Sequence, residues 1–143
     1  MVARGDRVVM VDIAPDVDRV AARLTATGRG EAHGVRADVR DPAAVQGVID
    51  QVVAEVGRLD VLVNNAAIHP LHSIEEISAA DWDAVLGVNL RSVFLFTRAV
   101  LRGMKSRRFG RIISIASEAG KNGGTICAPH YAASKGAILA FTR

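Results

Sequence analysis

The sequence predicts an α/β fold built on a parallel sheet, and three observations carry that expectation. Short apolar runs of strand length alternate with longer stretches whose apolar residues recur at helical spacing. Those runs are continuously apolar, as strands are when helices cover both faces of a parallel sheet. Half of the 143 residues are apolar and 23% are charged, which suits a packed core rather than a disordered chain. This length supports one compact domain, residues 1–143, in which strand and helix alternate through right-handed crossovers.

The elements follow in order. Arg7–Asp12 is an apolar run ended by an acid and reads as the first strand. Val17, Val20, Ala21 and Leu24 then share one helical face, with Gly28 as the stop. His33–Val39 reads as a second strand. Asp41-Pro42 opens a helix, with Asp41 as N-cap and proline at the first helical position. Its apolar face runs from Val45 to Val56, and Gly57 closes it. Leu59–Val63 is a third strand. Ser78 to Asp81 has the form of a capping box at the head of a helix reaching about Lys105. Trp82, Val85, Leu90, Val93, Phe96 and Val100 cover more than one stripe of it. A helix apolar on two sides is buried on two sides, here against a sheet and a partner subunit. Arg111–Ala116 is a fourth strand, and a last helix runs from Tyr131 to Arg143.

Charge and composition exclude several classes. The net charge of +3 comes from scattered basic residues, and Lys105, Arg107, Arg108 and Arg111 cluster only where a helix ends. Aromatics, at 4%, do not interleave with that cluster, so no nucleic-acid partner is expected. Arg4, Asp6 and Arg7 interrupt any leader-like apolar opening. The uninterrupted apolar runs fall short of the roughly 20 residues that span a bilayer. Cys127 is the single cysteine and forms no internal disulfide. A soluble, cytoplasmic protein without a membrane partner is expected. Of the four histidines only His69 and His72 are close in sequence, with no cysteine beside them, so no metal site is expected.

The sharpest chemical signal is Tyr131-Ala-Ala-Ser-Lys135, which puts phenol and ammonium on one helical face. A free phenol ionises only near pH ~10, and a nearby ammonium favours the anionic form needed for acid–base work at neutral pH. Upstream, Ser117 follows a strand into a glycine-containing loop, at the carboxyl edge where parallel sheets bind ligands. Ser114 is the rival, but it falls within the strand. Asn64-Asn65-Ala66-Ala67 ends another strand with small residues that let backbone approach a ligand. Asn89 is an amide in an otherwise apolar helix and must find a partner, structural or functional.

Together these motifs resemble the classical short-chain dehydrogenase/reductase family, over essentially the whole chain. The family's Asn-Asn-Ala-Gly is matched by Asn64 to Ala67, with alanine in the glycine place. The helix asparagine is matched by Asn89, the serine by Ser117, and Tyr-x-x-x-Lys by Tyr131 and Lys135. Lys121-Asn-Gly-Gly and Ala132-Ala-Ser-Lys135 look like members that are 3-oxoacyl-carrier-protein reductases. The resemblance implies a Rossmann-like doubly wound parallel sheet and an NAD(P)-dependent oxidoreductase that interconverts a secondary alcohol and a ketone by hydride transfer. Tyr131 would exchange the proton with the substrate oxygen. Lys135 would ease that exchange and hold the nicotinamide ribose, Ser117 would orient the substrate oxygen, and Asn89 would anchor a water relay.

Cofactor contacts follow from the same resemblance. Asp12, at the end of its strand with Ile13 beside it, would accept the adenosine ribose hydroxyls and repel a 2′-phosphate. No arginine occurs in Ile13-Ala-Pro-Asp16, so NAD is expected over NADP. Asp38 and Val39 would bracket the adenine, and Asn65 and Ala66 would join Tyr131 and Lys135 around the nucleotide. The expected partners are a small alcohol or ketone substrate and further copies of the chain, as a dimer or tetramer at full length. Two further features depart from the family. Ser117 stands fourteen residues before Tyr131, one more than is usual. The loop Thr-Gly-x-x-x-Gly-x-Gly is not present, and Met1–Gly5 looks like the end of the family's first crossover helix. The resemblance therefore implies a partial domain lacking its first strand, which would lie at the sheet centre, and its C-terminal strands. The alternative is an inactive fragment, or a non-catalytic remnant kept for interaction.

Overall fold

The structure is a computed structural model that describes residues 1–124 and 126–142. It divides into two compact units, Met1–Gly57 and Arg58–Arg143. Each has its own parallel pair of strands. The helical end of the chain expected at Arg143 lies outside the described residues.

In the first unit, β1 (Arg7–Asp12) and β2 (Glu31–Arg36) run parallel, in a register that places Asp12 opposite Arg36. The helix α1 (Val17–Thr27) crosses between them, and α2 (Pro42–Val56) follows. The second strand thus starts and ends earlier than its apolar pattern predicts. Its ladder with β1 stops at Arg36, and Asp38 and Val39 belong to the turn beyond. Val2, Ala21 and Ala32 form the buried cluster, with Val8 and Met10 packed against it. The cap of α2 is as its sequence demands: the Asp41 carboxylate accepts from the Ala43 N–H at 2.8 Å, beside Pro42. Gly57 ends the helix at φ 80°, a left-handed conformation that costs glycine little.

In the second unit, β3 (Val61–Asn64) pairs in parallel with β4 (Arg111–Ser114). A continuous helical stretch, Ala79–Arg107, connects them. The sequence reads it as one α-helix. Instead α3 (Ala79–Leu86) and α4 (Ser92–Arg107) are joined by a π-helical turn over Gly87–Arg91. The start is a true capping box: Ser78 Oγ accepts from Asp81 N–H, and the Asp81 carboxylate accepts from Ser78 N–H, each at 3.1 Å. By length and composition this stretch is apolar enough to cross a membrane. Here Val85, Val93, Phe96, Val100 and Met104 are buried within the protein, so the helix supplies the core of its unit. Two helices complete the unit: α5 (Ala119–Asn122), in a segment the sequence reads as loop, and α6 (Pro129–Phe141). The start of α6 is set by Pro129 at its first positions.

Candidate active site

The loops leaving the carboxyl ends of β3 and β4 and the first turns of α6 carry the predicted chemistry of the second unit. The two strand ends are tied where Asn64 donates through Nδ2 to Ser114 Oγ at 3.3 Å. Ser114 thereby serves the sheet edge, while Ser117 lies three residues farther out and is half-buried. Its hydroxyl accepts from the Ala119 N–H at 3.2 Å, in the first turn of α5. Close packing holds α5 on α6. A side chain at Gly120 would lie 2.6 Å from the backbone of Lys135 and Gly136.

Tyr131 and Lys135 share a face of α6, one turn apart. Lys135 Nζ lies 5.7 Å from the centre of the Tyr131 ring. The lysine is only 3% exposed, and its ammonium donates to the Ile115 carbonyl at 2.7 Å, just beyond β4. Burial pulls its pKa below the ordinary lysine value, because a charged group loses hydration there. That carbonyl offsets part of the loss and fixes where the charge sits.

Asn89 is fully buried within the π-helical turn. Its Oδ1 accepts from Ile68 N–H at 2.8 Å, and Nδ2 donates both to the Ile68 carbonyl and to Ser134 Oγ, each at 3.0 Å. Both amide hydrogens are therefore taken by protein groups, which leaves the carboxamide oxygen as the side chain's one remaining site for water. Ser134 Oγ in turn donates a hydrogen bond to the Tyr131 carbonyl at 2.7 Å. One buried amide thus joins the loop after β3 to the helix that carries the tyrosine and lysine. Asn65 and Ala66 are exposed at the head of that loop. Residue 69 of the same loop lays an imidazole on the tyrosine: the His69 and Tyr131 ring centres are 3.9 Å apart, at 30° between planes.

In the first unit the candidate nucleotide residues gather beyond β1 and β2. Asp12 is exposed, and its Oδ1 accepts from the Ala14 N–H at 2.9 Å. The Asp12 carbonyl accepts from the Ala37 N–H at 2.9 Å, which ties the segment of Asp38 and Val39 to the end of β1. Asp38 is gripped by Arg40, whose Nε donates to Oδ1 at 3.0 Å and Nη2 to Oδ2 at 2.6 Å. That side-chain pairing holds the Asp38 carboxyl below the usual carboxylate range. Arg36 brings a second guanidinium to this corner and donates from Nε to the Ile13 carbonyl at 3.1 Å.

Several of these groups escape sequence reasoning. Arg36 lies far from Asp12 in sequence, and only the parallel register brings it alongside. His69 carries no motif of its own. Ser134 is legible in part: a hydroxyl between Tyr131 and Lys135, on a helix whose flanks are apolar, needs a partner. Among the described residues no three His, Cys, Asp or Glu side chains are grouped to hold a metal ion.

The family model described as short chain dehydrogenase matches residues 1–143. A putative ketoacyl reductase of the monensin polyketide synthase from Streptomyces virginiae is 46% identical over 115 residues, 79% of this chain and 44% of its own length. Cyclopentanol dehydrogenase from Comamonas testosteroni is 37% identical over 139 residues, 97% of this chain and 55% of its own. The crystal structure of a 3-oxoacyl-[acyl-carrier protein] reductase with bound NAD, from Brucella melitensis, superposes with a TM-score of 0.89. It is 36% identical, with 96% of this chain and 54% of that one covered. The chain thus spans about half the length of the curated relatives it matches. Its fold is Rossmann-like, partial beside the full-length relatives, and the chain belongs to the short chain dehydrogenase family.

Proposed function

We propose that the protein is a nicotinamide-dependent oxidoreductase interconverting a secondary alcohol and a ketone, with NAD preferred and Tyr131 as proton donor and acceptor. The observation that carries this reading is the buried Lys135 ammonium, tied to the Ile115 carbonyl and one helical turn from the Tyr131 phenol. A lysine is buried at a cost, and here it faces a phenol rather than a carboxylate.

The residues present fit a dinucleotide at two places. The Asp12 carboxylate is exposed at a strand end, with one oxygen used by the Ala14 N–H, so it can accept ribose hydroxyls. Ala66 and Ala67 keep the loop after β3 open to close backbone approach. When bound, the nicotinamide supplies or receives the hydride. In reduction Tyr131 delivers its proton to the ketone oxygen, and Lys135 stabilises the negative charge left on the phenol oxygen. Ser117 gives a hydrogen bond to the same substrate oxygen. Asn89 holds the geometry and offers its oxygen to a water that returns a proton toward Lys135. The exposed Trp82, Phe94 and Leu101 support a homo-oligomer joined through the helical stretch Ala79–Arg107.

A second reading of the cofactor has its own observation. Arg36 places a guanidinium beside Ile13, where it would meet a 2′-phosphate, and this favours NADP. Turnover of secondary alcohols with each cofactor decides between them. The expected result is higher kcat/KM with NAD, and a ratio falling at least about tenfold toward NADP in Asp12→Ala, since one ion-pair-scale interaction and one repulsion are lost. An unchanged ratio reduces Asp12 to a turn residue. A preference for NADP that Arg36→Gln abolishes establishes the second reading.

A further inference from the structure

We propose that His69 is a positioning residue for Tyr131, aimed by Asn89; this rests on the reading of Tyr131 as the proton donor. A tyrosine on the first turns of a helix retains freedom about its side-chain torsions unless neighbours fill the space around the ring. Proton transfer needs its hydroxyl within hydrogen-bond reach of one substrate oxygen, and small misplacements are costly in rate. In this protein one face of the ring is covered. His69 stacks on it at 3.9 Å between centres, with planes 30° apart.

His69 is itself exposed, on a loop with no regular structure, so burial does not hold it there. The hold comes from the residue before it. Asn89 accepts from the Ile68 N–H at 2.8 Å and donates to the Ile68 carbonyl at 3.0 Å, which fixes both backbone groups of Ile68. The same amide reaches Ser134, whose hydroxyl donates to the Tyr131 carbonyl at 2.7 Å. Loop and helix are therefore tied at the backbone of Tyr131 and stacked at its ring, with one buried side chain setting both distances. His130 closes the base of the arrangement, its Nδ1 accepting from the Tyr131 N–H at 3.1 Å. What His69 contributes is a flat ring in a set place, so a phenyl ring should serve where a methyl group does not.

Two measurements test this on the whole natural polypeptide that carries these residues. In steady-state kinetics, His69→Ala should lower kcat about threefold to tenfold, the scale of one lost aromatic stack. The KM for the nicotinamide cofactor should stay within about twofold, and His69→Phe should restore most of kcat. The second measurement needs no turnover. The Tyr131 ring resonances, identified by their loss in Tyr131→Phe, should show the ring-current displacement of a stacked neighbour in the parent and in His69→Phe, and lose it in His69→Ala. A parent that oxidises no secondary alcohol refutes the functional reading alone, and the resonances still decide the positioning. The proposal is overturned if His69→Ala keeps kcat within twofold of the parent, if His69→Phe is no better than His69→Ala, or if the ring resonances are the same in all three.

Discussion

Lys135 shows most directly how this protein sets function against stability. Its ammonium is almost wholly buried, and the Ile115 carbonyl is its one hydrogen-bond partner among the described residues. Burial disfavours the charged form, so the folded chain releases this proton more readily than the unfolded chain, whose lysine keeps its ordinary value of 10.5. Between the lowered value and 10.5 the unfolded state binds more protons, and stability rises with pH across that window. Urea unfolding of the parent and of Lys135→Met over this range should show the parent gaining on the variant as pH climbs. Parallel curves would mean that the ammonium is hydrated in the folded state. The tyrosine and lysine were legible as a pair because helical geometry alone places i and i+4 together. The carbonyl that receives the ammonium was not, since it comes from the segment just beyond β4, twenty residues upstream. His69 and Arg36 escaped for the same reason: what makes them matter is contact across the fold, which no local spacing encodes.

At the scale of elements, chemistry that is local in sequence was read well. The N-caps at Asp41 and Ser78 and the helix stop at Gly57 all follow from a few adjacent residues. Strand ends were read less well, because they depend on the partner strand: β2 ends with the ladder at Arg36, while its apolar pattern runs on to Val39. The π-helical turn at Gly87–Arg91 has no periodic signature. A single wide turn shifts the helix face by a fraction of a residue, and such turns occur often at functional sites. Asn89 was the one visible trace of it, as a polar group that had to be satisfied. The short α5 has no sequence signature, because four residues carry too little pattern. Yet its contact with α6 is tight, and Gly120 is the residue that permits it. Gly120→Ala should force the two helices apart, costing about 1–3 kcal/mol as overpacking and moving Ser117 away from its place. Thermal unfolding and turnover together check this. A variant that keeps both the parent's midpoint and its kcat would show that α5 can shift freely without disturbing the site.

For the molecule as a whole, the class of fold was legible from alternation and apolar runs, because those report burial on both faces of a sheet. The division into two parallel pairs depends on which strands meet, and alternation alone does not encode that. Family membership rests on ordered motifs and on the match over residues 1–143, and it brings the expectation of a hydride-transferring enzyme. The central claim within that expectation is narrower: one phenol, held by His69, Asn89 and Lys135, moves the proton. Replacing Tyr131 by phenylalanine in the whole natural polypeptide removes only the hydroxyl and keeps the ring that His69 stacks on. With a secondary alcohol and NAD, kcat should fall by at least about a hundredfold, the lower range for losing a general acid–base group. NAD binding, followed by calorimetry, should stay within about threefold, because the nucleotide is held mainly by other groups. A Tyr131→Phe protein that binds NAD and still turns over within a few fold of the parent would contradict the account.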